Sequence, residues 1–435
     1  MKKTFSLSIL SATFLLSSGL ADVLPQVSVS SAFAATEKAE KKRRRTPALG
    51  SRVYSQLARA QQLADNGDVP AGLEVLDDVK DKASSLNSYE KAMMYNFYGF
   101  IYYNAERVDE ALAAFEQVVQ QSPIPESLEK STLFSLSQLA MASGKYEKTL
   151  EYLTRWEKVE GGDIPVKNYV LKAQANYQNK NYPAAAKHIT TAIDKQIADG
   201  FEPAESWYVL QRAVYFELKQ PEKVTQVLET MVRKFNKPEY WTQLGGMYGE
   251  IGEEQKQLAV MEAAYQQGYV TKKSDLRNLS QIYYLNGLPY KAANVMVDGF
   301  ASGTLDQNVK NLKFLAQSYV AAKEYDTAIM TYRDISAKTQ TGVADQQIAE
   351  LSLQMGKFEQ TISAAKKAEQ KGQLDNPGNL YLALGMASFN LKKFDQALTA
   401  FTKASEIKSS KRMATQWLKF VEREKKSAMQ LAAST

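Results

Sequence analysis

The run Tyr95-Asn96-Phe97-Tyr98-Gly99-Phe100-Ile101-Tyr102-Tyr103 is followed by a polar break, then by Val108-Asp109-Glu110-Ala111-Leu112-Ala113-Ala114-Phe115, and closes on Pro123. Tyr95, Tyr98, Gly99 and Tyr102 recur at a spacing of three and four, as do Val108, Ala111 and Phe115. That spacing places each set on one helix face, so the stretch reads as two amphipathic helices joined by a short turn. Gly99 and Ala111 are the small residues on the two facing helices, and the sequence predicts that their pairing lets the backbones approach closely.

Outward from this hairpin the same pattern recurs. With Gly99 as position eight of a unit, Ala60, Ser137, Ala173, Arg212, Gly245, Ser280, Ala316, Ala349 and Gly385 fall at the equivalent place, at intervals of 33 to 39 residues. The extra residues, Ile124-Pro125, Gly161 to Pro165 and Gly200 to Pro203, fall between units and are expected in surface loops. Arg212 is the weakest match to the small position, although Tyr215, Val224 and Leu228 keep its frame. The stretch from Arg412 to Leu431, with Met413, Trp417, Phe420 and Val421 on one side, reads as a helix that caps the last unit. The expected fold is all-α, a right-handed α-α superhelix of about ten helix-turn-helix repeats over residues 52–407, with a cap and tail over 408–435.

Composition narrows the classes of function. An apolar content of 44% and a charged content of 23% are those of a folded chain. The net charge of +6 is concentrated in residues 1–50, which carry +5, so the remaining body is nearly neutral and no nucleic-acid partner is expected. Cysteine is absent, which excludes disulfides, thiolate metal sites and a cysteine nucleophile. The single histidine, His188, has no clustered ligand partners in the sequence and is expected to pack or face solvent. Gly245-Gly246-Met247-Tyr248-Gly249 lacks the form of a phosphate loop and reads as close packing within a helix. No catalytic group, metal or cofactor is therefore expected.

Met1-Lys2-Lys3 followed by the apolar run Phe5 to Leu20 has the form of a cleavable secretory leader, with small-residue cleavage sites after Ala21 and after Ala34. The later site is preferred because Leu24 to Phe33 remains apolar, giving a leader over residues 1–34 and a basic linker over 35–51. In that linker Lys41, Lys42, Arg43, Arg44 and Arg45 form a cationic arm suited to peripheral contact with a membrane or cell wall. The expected location is the periplasm.

The order of small and large residues, with Gly99, Tyr102, Ala111, Phe115 and Pro123 in place, resembles the tetratricopeptide family, whose period is about 34 residues. The stretches Tyr54 to Gln61 and Tyr89 to Tyr103 are similar to an exported tetratricopeptide protein of Gram-negative bacteria associated with a TonB–ExbB–ExbD energy-transduction system. The resemblance implies a non-enzymatic scaffold that binds a protein partner on its concave face, in TonB-dependent iron uptake. Envelope assembly and cell-wall binding are the alternative roles. It also implies that positions two, five, nine, twelve and thirteen of each first helix line that face. Position nine carries Gln61, Phe100, Gln138, Gln174, Gln281 and Gln317; position twelve carries Tyr103, Tyr177, Phe216, Tyr284 and Phe389; Asn96 stands at position five. A glutamine amide donates to and accepts from an extended backbone, and a neighbouring ring adds apolar area. About half of the position-twelve residues are expected to serve packing between units instead. The lysine–asparagine arrangement that grips a peptide's terminal carboxylate is not formed, since Phe100 follows Asn96 and Gln317 follows Lys313.

Overall fold

The computed structural model describes residues 45–434, so Lys41 to Arg44, the leader and both cleavage sites lie outside the described residues. Among the described residues the chain is helices and connections without a strand, and it forms two compact units that meet in sequence at Gln220 and Pro221. Unit 1 holds α1 (Ser51–Asp65), α2 (Val69–Lys80), α3 (Ser88–Asn104), α4 (Val108–Gln120), α5 (Glu126–Ala142), α6 (Tyr146–Glu160), α7 (Val166–Gln178), α8 (Tyr182–Ala198) and α9 (Glu205–Glu217). Unit 2 holds α10 (Pro221–Phe235), α11 (Pro238–Glu250), α12 (Glu254–Gln266), α13 (Lys273–Leu285), α14 (Pro289–Ala301), α15 (Val309–Ala321), α16 (Tyr325–Lys338), α17 (Val343–Gln354), α18 (Phe358–Lys371), α19 (Pro377–Asn390), α20 (Phe394–Ser405) and α21 (Lys411–Ser434).

The first twenty helices alternate as first and second helices of ten units along the chain, as the repeat frame predicts, and their register is constant; four pairs pack as hairpins within unit 1 and five within unit 2. In every pair the first helix ends five residues past position eight, and the second begins nine past it. Arg212 obeys this rule as well as Gly99 does, so the helix bounds around the weakest signature keep the common spacing along the chain. Between the two helices, the residue seven past position eight has a left-handed backbone in all ten turns: glycine at 67, 144, 252, 287 and 356, but Glu106, Lys180, Lys219, Lys323 and Lys392 in the others. A left-handed residue lets the next amide turn back onto the ending helix. Arg107 N donates to Tyr102 O at 2.8 Å, and Lys393 N to Ser388 O at 2.8 Å, in the same way.

Packing of the hairpins corrects one expectation. The side chain that needs Gly99 is Phe115, not Ala111: a Cβ on Gly99 would stand 2.5 Å from the Phe115 ring. Gly385 stands in the same relation to Phe401, and Gly245 to Met261. The reason is side-chain direction, because long side chains on a helix lean toward its N-terminus and so reach a facing residue that a one-carbon alanine does not. Ala111 is itself buried. In unit 1, Leu57, Leu76, Met94 and Ile101 form one core cluster and Phe115, Leu133, Leu136 and Tyr152 another. Unit 2 repeats the arrangement around Leu279 and Met296, around Ile335 and Leu380, and around Phe401 under α21.

Two further expectations shift. Ile124, read as part of a surface loop, is buried at 2% exposure in the core of unit 1, and Pro203 is buried too. The capping helix is present, but its buried face is Ala414, Trp417, Leu418 and Val421, while Met413 is 49% exposed.

Candidate protein-binding face

Position in the repeat fixes where a first-helix residue points; the neighbouring helices decide whether it meets solvent. Unit 1 holds eight of the twelve sequence-selected residues, and seven of them are buried or half-buried. Asn96 is buried. Phe100 is half-buried, edge-on to Phe115 with centroids 5.4 Å apart, and Tyr103 packs against the same cluster. Gln61, Gln138 and Gln174 are half-buried, and the Gln61 amide donates to Asp65 Oδ1 at 2.7 Å, one turn on. The Tyr177 ring lies 5.7 Å from Tyr182, and its phenol is shifted up by burial first and by Glu217 and Tyr182 after it. Phe216 alone of the unit 1 set is exposed.

Unit 2 differs. Gln281, Tyr284 and Gln317 are all exposed, and the Tyr284 ring lies 5.7 Å from that of Phe314. The side chains come from consecutive first helices, α13 and α15, at equivalent register. On α11 the equivalent position nine is Gly246, which is exposed, and a Cβ there would meet nothing within 4 Å. Its neighbours Gly245 and Gly249 make room for Met261 and Gln257, so Gly246 is the one glycine of that helix that packing leaves unexplained. A glycine within a helix destabilises it by about 0.5–1 kcal/mol relative to alanine. Behind the exposed row, the Tyr332 phenol is shifted up by burial and then by Glu350 and Tyr284.

Leu285 stands at position thirteen, one of the positions expected to line this face, although it is not among the twelve residues singled out from the sequence. It is 82% exposed at the last residue of α13. Its signal is in the sequence: the other nine first helices end on Asp65, Asn104, Ala142, Gln178, Glu217, Glu250, Ala321, Gln354 and Asn390, none of them a large apolar residue. Phe389, by contrast, shares the register of Tyr284 but is covered by the cap, with Trp417 and Phe420 at 5.8 and 5.3 Å. It belongs to packing, not to an open face.

Among the described residues no three His, Asp or Glu side chains gather as metal ligands do. His188 is half-buried, 6.4 Å from the Tyr169 ring, and its imidazole is shifted down by burial and then by Lys172. Lys172 is held by Glu157 at 2.5 Å. No described helix is long and apolar enough to cross a membrane.

Family models described as Tetratricopeptide repeat match residues 57–123 and 378–411. No curated protein matches the chain. Among solved structures, a tetratricopeptide repeat protein from Parabacteroides merdae is 15% identical over 59% of this chain and 98% of its own, with a TM-score of 0.31. The C-terminal part of a repeat-containing protein from Cytophaga hutchinsonii is 15% identical over 66% and 99%, with a TM-score of 0.34. YrrB, described as having an unusual peptide-binding site, is 12% identical over 43% and 95%, also at 0.34. Superposition at that level carries no function across. The chain carries tetratricopeptide repeats at both matched stretches, and the hairpins between them keep the same register.

Proposed function

We propose that this chain is a non-enzymatic interaction scaffold that binds an extended segment of a partner protein on the first-helix face of unit 2. The observation that carries this reading is the row of Gly246, Gln281, Tyr284, Leu285 and Gln317, exposed at equivalent register on consecutive first helices. Glutamine amides at repeat spacing suit a peptide backbone, Tyr284 and Leu285 supply apolar anchors, and the missing side chain at 246 leaves room for a backbone to come close. Phe216 is an exposed member of the same register in unit 1. Gln61, Gln138, Gln174, Tyr103 and Tyr177 contribute only the edges that packing leaves open.

The pathway rests on resemblance alone. The leader supports export to the periplasm, and the similarity at Tyr54 to Gln61 and Tyr89 to Tyr103 supports a place in a TonB-dependent energy-transduction or iron-uptake system. Photocrosslinking from Gln281 in intact cells, read by mass spectrometry, tests the partner. Adducts with TonB, ExbB or ExbD are expected, and adducts only with other envelope proteins would replace the TonB reading by one of envelope assembly. Exposed rings such as Tyr284 also stack on sugars, so failure to bind purified peptidoglycan is required of the protein-binding reading.

A further inference from the structure

The outer face of α21 carries a charge pattern that folding does not explain. The helix rests on the last hairpin through Ala414, Trp417, Leu418 and Val421. Away from that contact, Lys408, Lys411, Arg412 and Lys419, with Thr415 and Gln416, form one open surface. Arg423 and Lys426 continue the same face one and two turns on, and all six cations bar none are exposed. Among the described residues no carboxylate pairs with these four cations; the paired cation of the helix is Lys425, which meets Asp395. Glu422 and Glu424 are the acidic residues of the helix.

Glu422 is placed to support the helix, four residues before Lys426, but the rest of the pattern works against it. The first turn holds Lys411 and Arg412 and no acidic residue, although a helix N-terminus favours negative charge. Lys408 with Lys411 and Arg412, and Arg423 with Lys419 and Lys426, are like charges three and four residues apart, a spacing that repels. The geometry also restricts the ligand. Every lining residue comes from α21 or the turn before it, so the surface is convex along a straight rod and has no second wall to enclose a small anion. From Lys411 to Lys426 the charges extend about 22 Å along the axis. Only an extended anionic surface meets them together. Met413 at 49% and Phe420 at 36% exposure stand along the edge of the cationic face, and such residues enter the headgroup layer of a bilayer but find no counterpart along a nucleic-acid backbone.

We propose that the outer face of α21 is a docking surface for an anionic lipid bilayer, with the cations over the headgroups, Met413 dipping between them and the open edge of Phe420 beside it. The test is partitioning of the full chain onto phosphatidylcholine vesicles with and without phosphatidylglycerol. Binding is expected only with phosphatidylglycerol, and it should weaken as salt shortens the reach of the charges. A Lys411→Gln, Arg412→Gln, Lys419→Gln variant should partition roughly 100-fold less, at about fivefold per cation, with its helix content and melting unchanged or improved. A second variant with Lys41 to Arg45 changed to glutamine separates the N-terminal arm and should keep the dependence on α21. The proposal is overturned if the α21 variant binds as the parent does, if binding is lost only with the arm, or if polyglutamate or duplex DNA binds the face as tightly as the vesicles do.

Discussion

The ring of Phe115 fills the space that a Cβ on Gly99 would require, at a separation of 2.5 Å. The two residues lie on opposite helices of one hairpin, and both are buried. Gly99→Val should therefore overpack the hairpin and destabilise unit 1 by about 1–3 kcal/mol, read from urea or thermal unfolding. Because Phe115 is the residue displaced, Phe115→Leu in the same chain should recover part of the loss, and Ala111→Gly should recover none.

The turn at Lys323 places a lysine at φ 63°, where the equivalent turn after α17 uses Gly356 at φ 71°. A side chain in the left-handed region costs about 1–2 kcal/mol, partly offset by the greater chain entropy of glycine. Lys323→Gly should raise the stability of unit 2 by roughly 0.5–1 kcal/mol, and Gly356→Lys should lower it by a similar amount. Differential scanning calorimetry of the pair would show the opposite signs.

Asp345 is 2% exposed at the start of α17, yet it is charged and held on several sides. Ser336 Oγ lies 2.8 and 2.7 Å from its two oxygens, Lys371 Nζ 3.0 Å and Lys367 Nζ 3.1 Å away. Lys371 also donates to the carbonyls of Ser336 and Thr339, tying the end of α16 to α18. Burial pushes the carboxyl's pKa up, but the hydrogen bonds from Ser336, Lys371 and Lys367 outweigh it and the net shift is downward. A lowered folded pKa contributes stability that is present above the unfolded value of about 3.9 and is lost as pH falls through the folded value. Unit 2 should thus weaken in acid below about pH 4, and Asp345→Asn should cost roughly 3 kcal/mol at neutral pH while flattening that acid limb. Unfolding midpoints of parent and variant across that range test both statements.

The repeat frame was readable because small and aromatic residues recur at fixed offsets, and the alternation of twenty helices with constant bounds follows from it. Exposure was not readable from the same offsets. Tyr284 and Phe389 share one register position, but Phe389 lies under Trp417 and Phe420 of a helix outside the repeat, and Tyr284 has no such cover. Phe100 likewise looks like an inner-face ring until Phe115 of its own hairpin is found against it. The left-handed turn seat was hidden for a related reason: lysine fills it in four units and glutamate in one, where glycine would have marked it. Leu285 was visible in the sequence as the large apolar residue among the ten first-helix ends, at position thirteen of its unit, one of the positions the family resemblance places on the face.

Gly246 separates the demands of folding from those of binding. Gly246→Ala should stabilise α11 by about 0.5–1 kcal/mol, since the added Cβ meets nothing within 4 Å. If a partner's backbone comes close there, the same variant should bind that partner more weakly despite its greater stability, as parallel melting and binding measurements would show.

The central claim, that the first-helix face of unit 2 grips an extended peptide, is tested most directly by selecting displayed peptides against the full chain and titrating them calorimetrically into parent and Tyr284→Ala proteins. An anchor ring at the centre of such a face accounts for about 2 kcal/mol or more, so the variant should bind about 30-fold more weakly with its fold intact. Peptides that bind both proteins equally would contradict the assignment of this face.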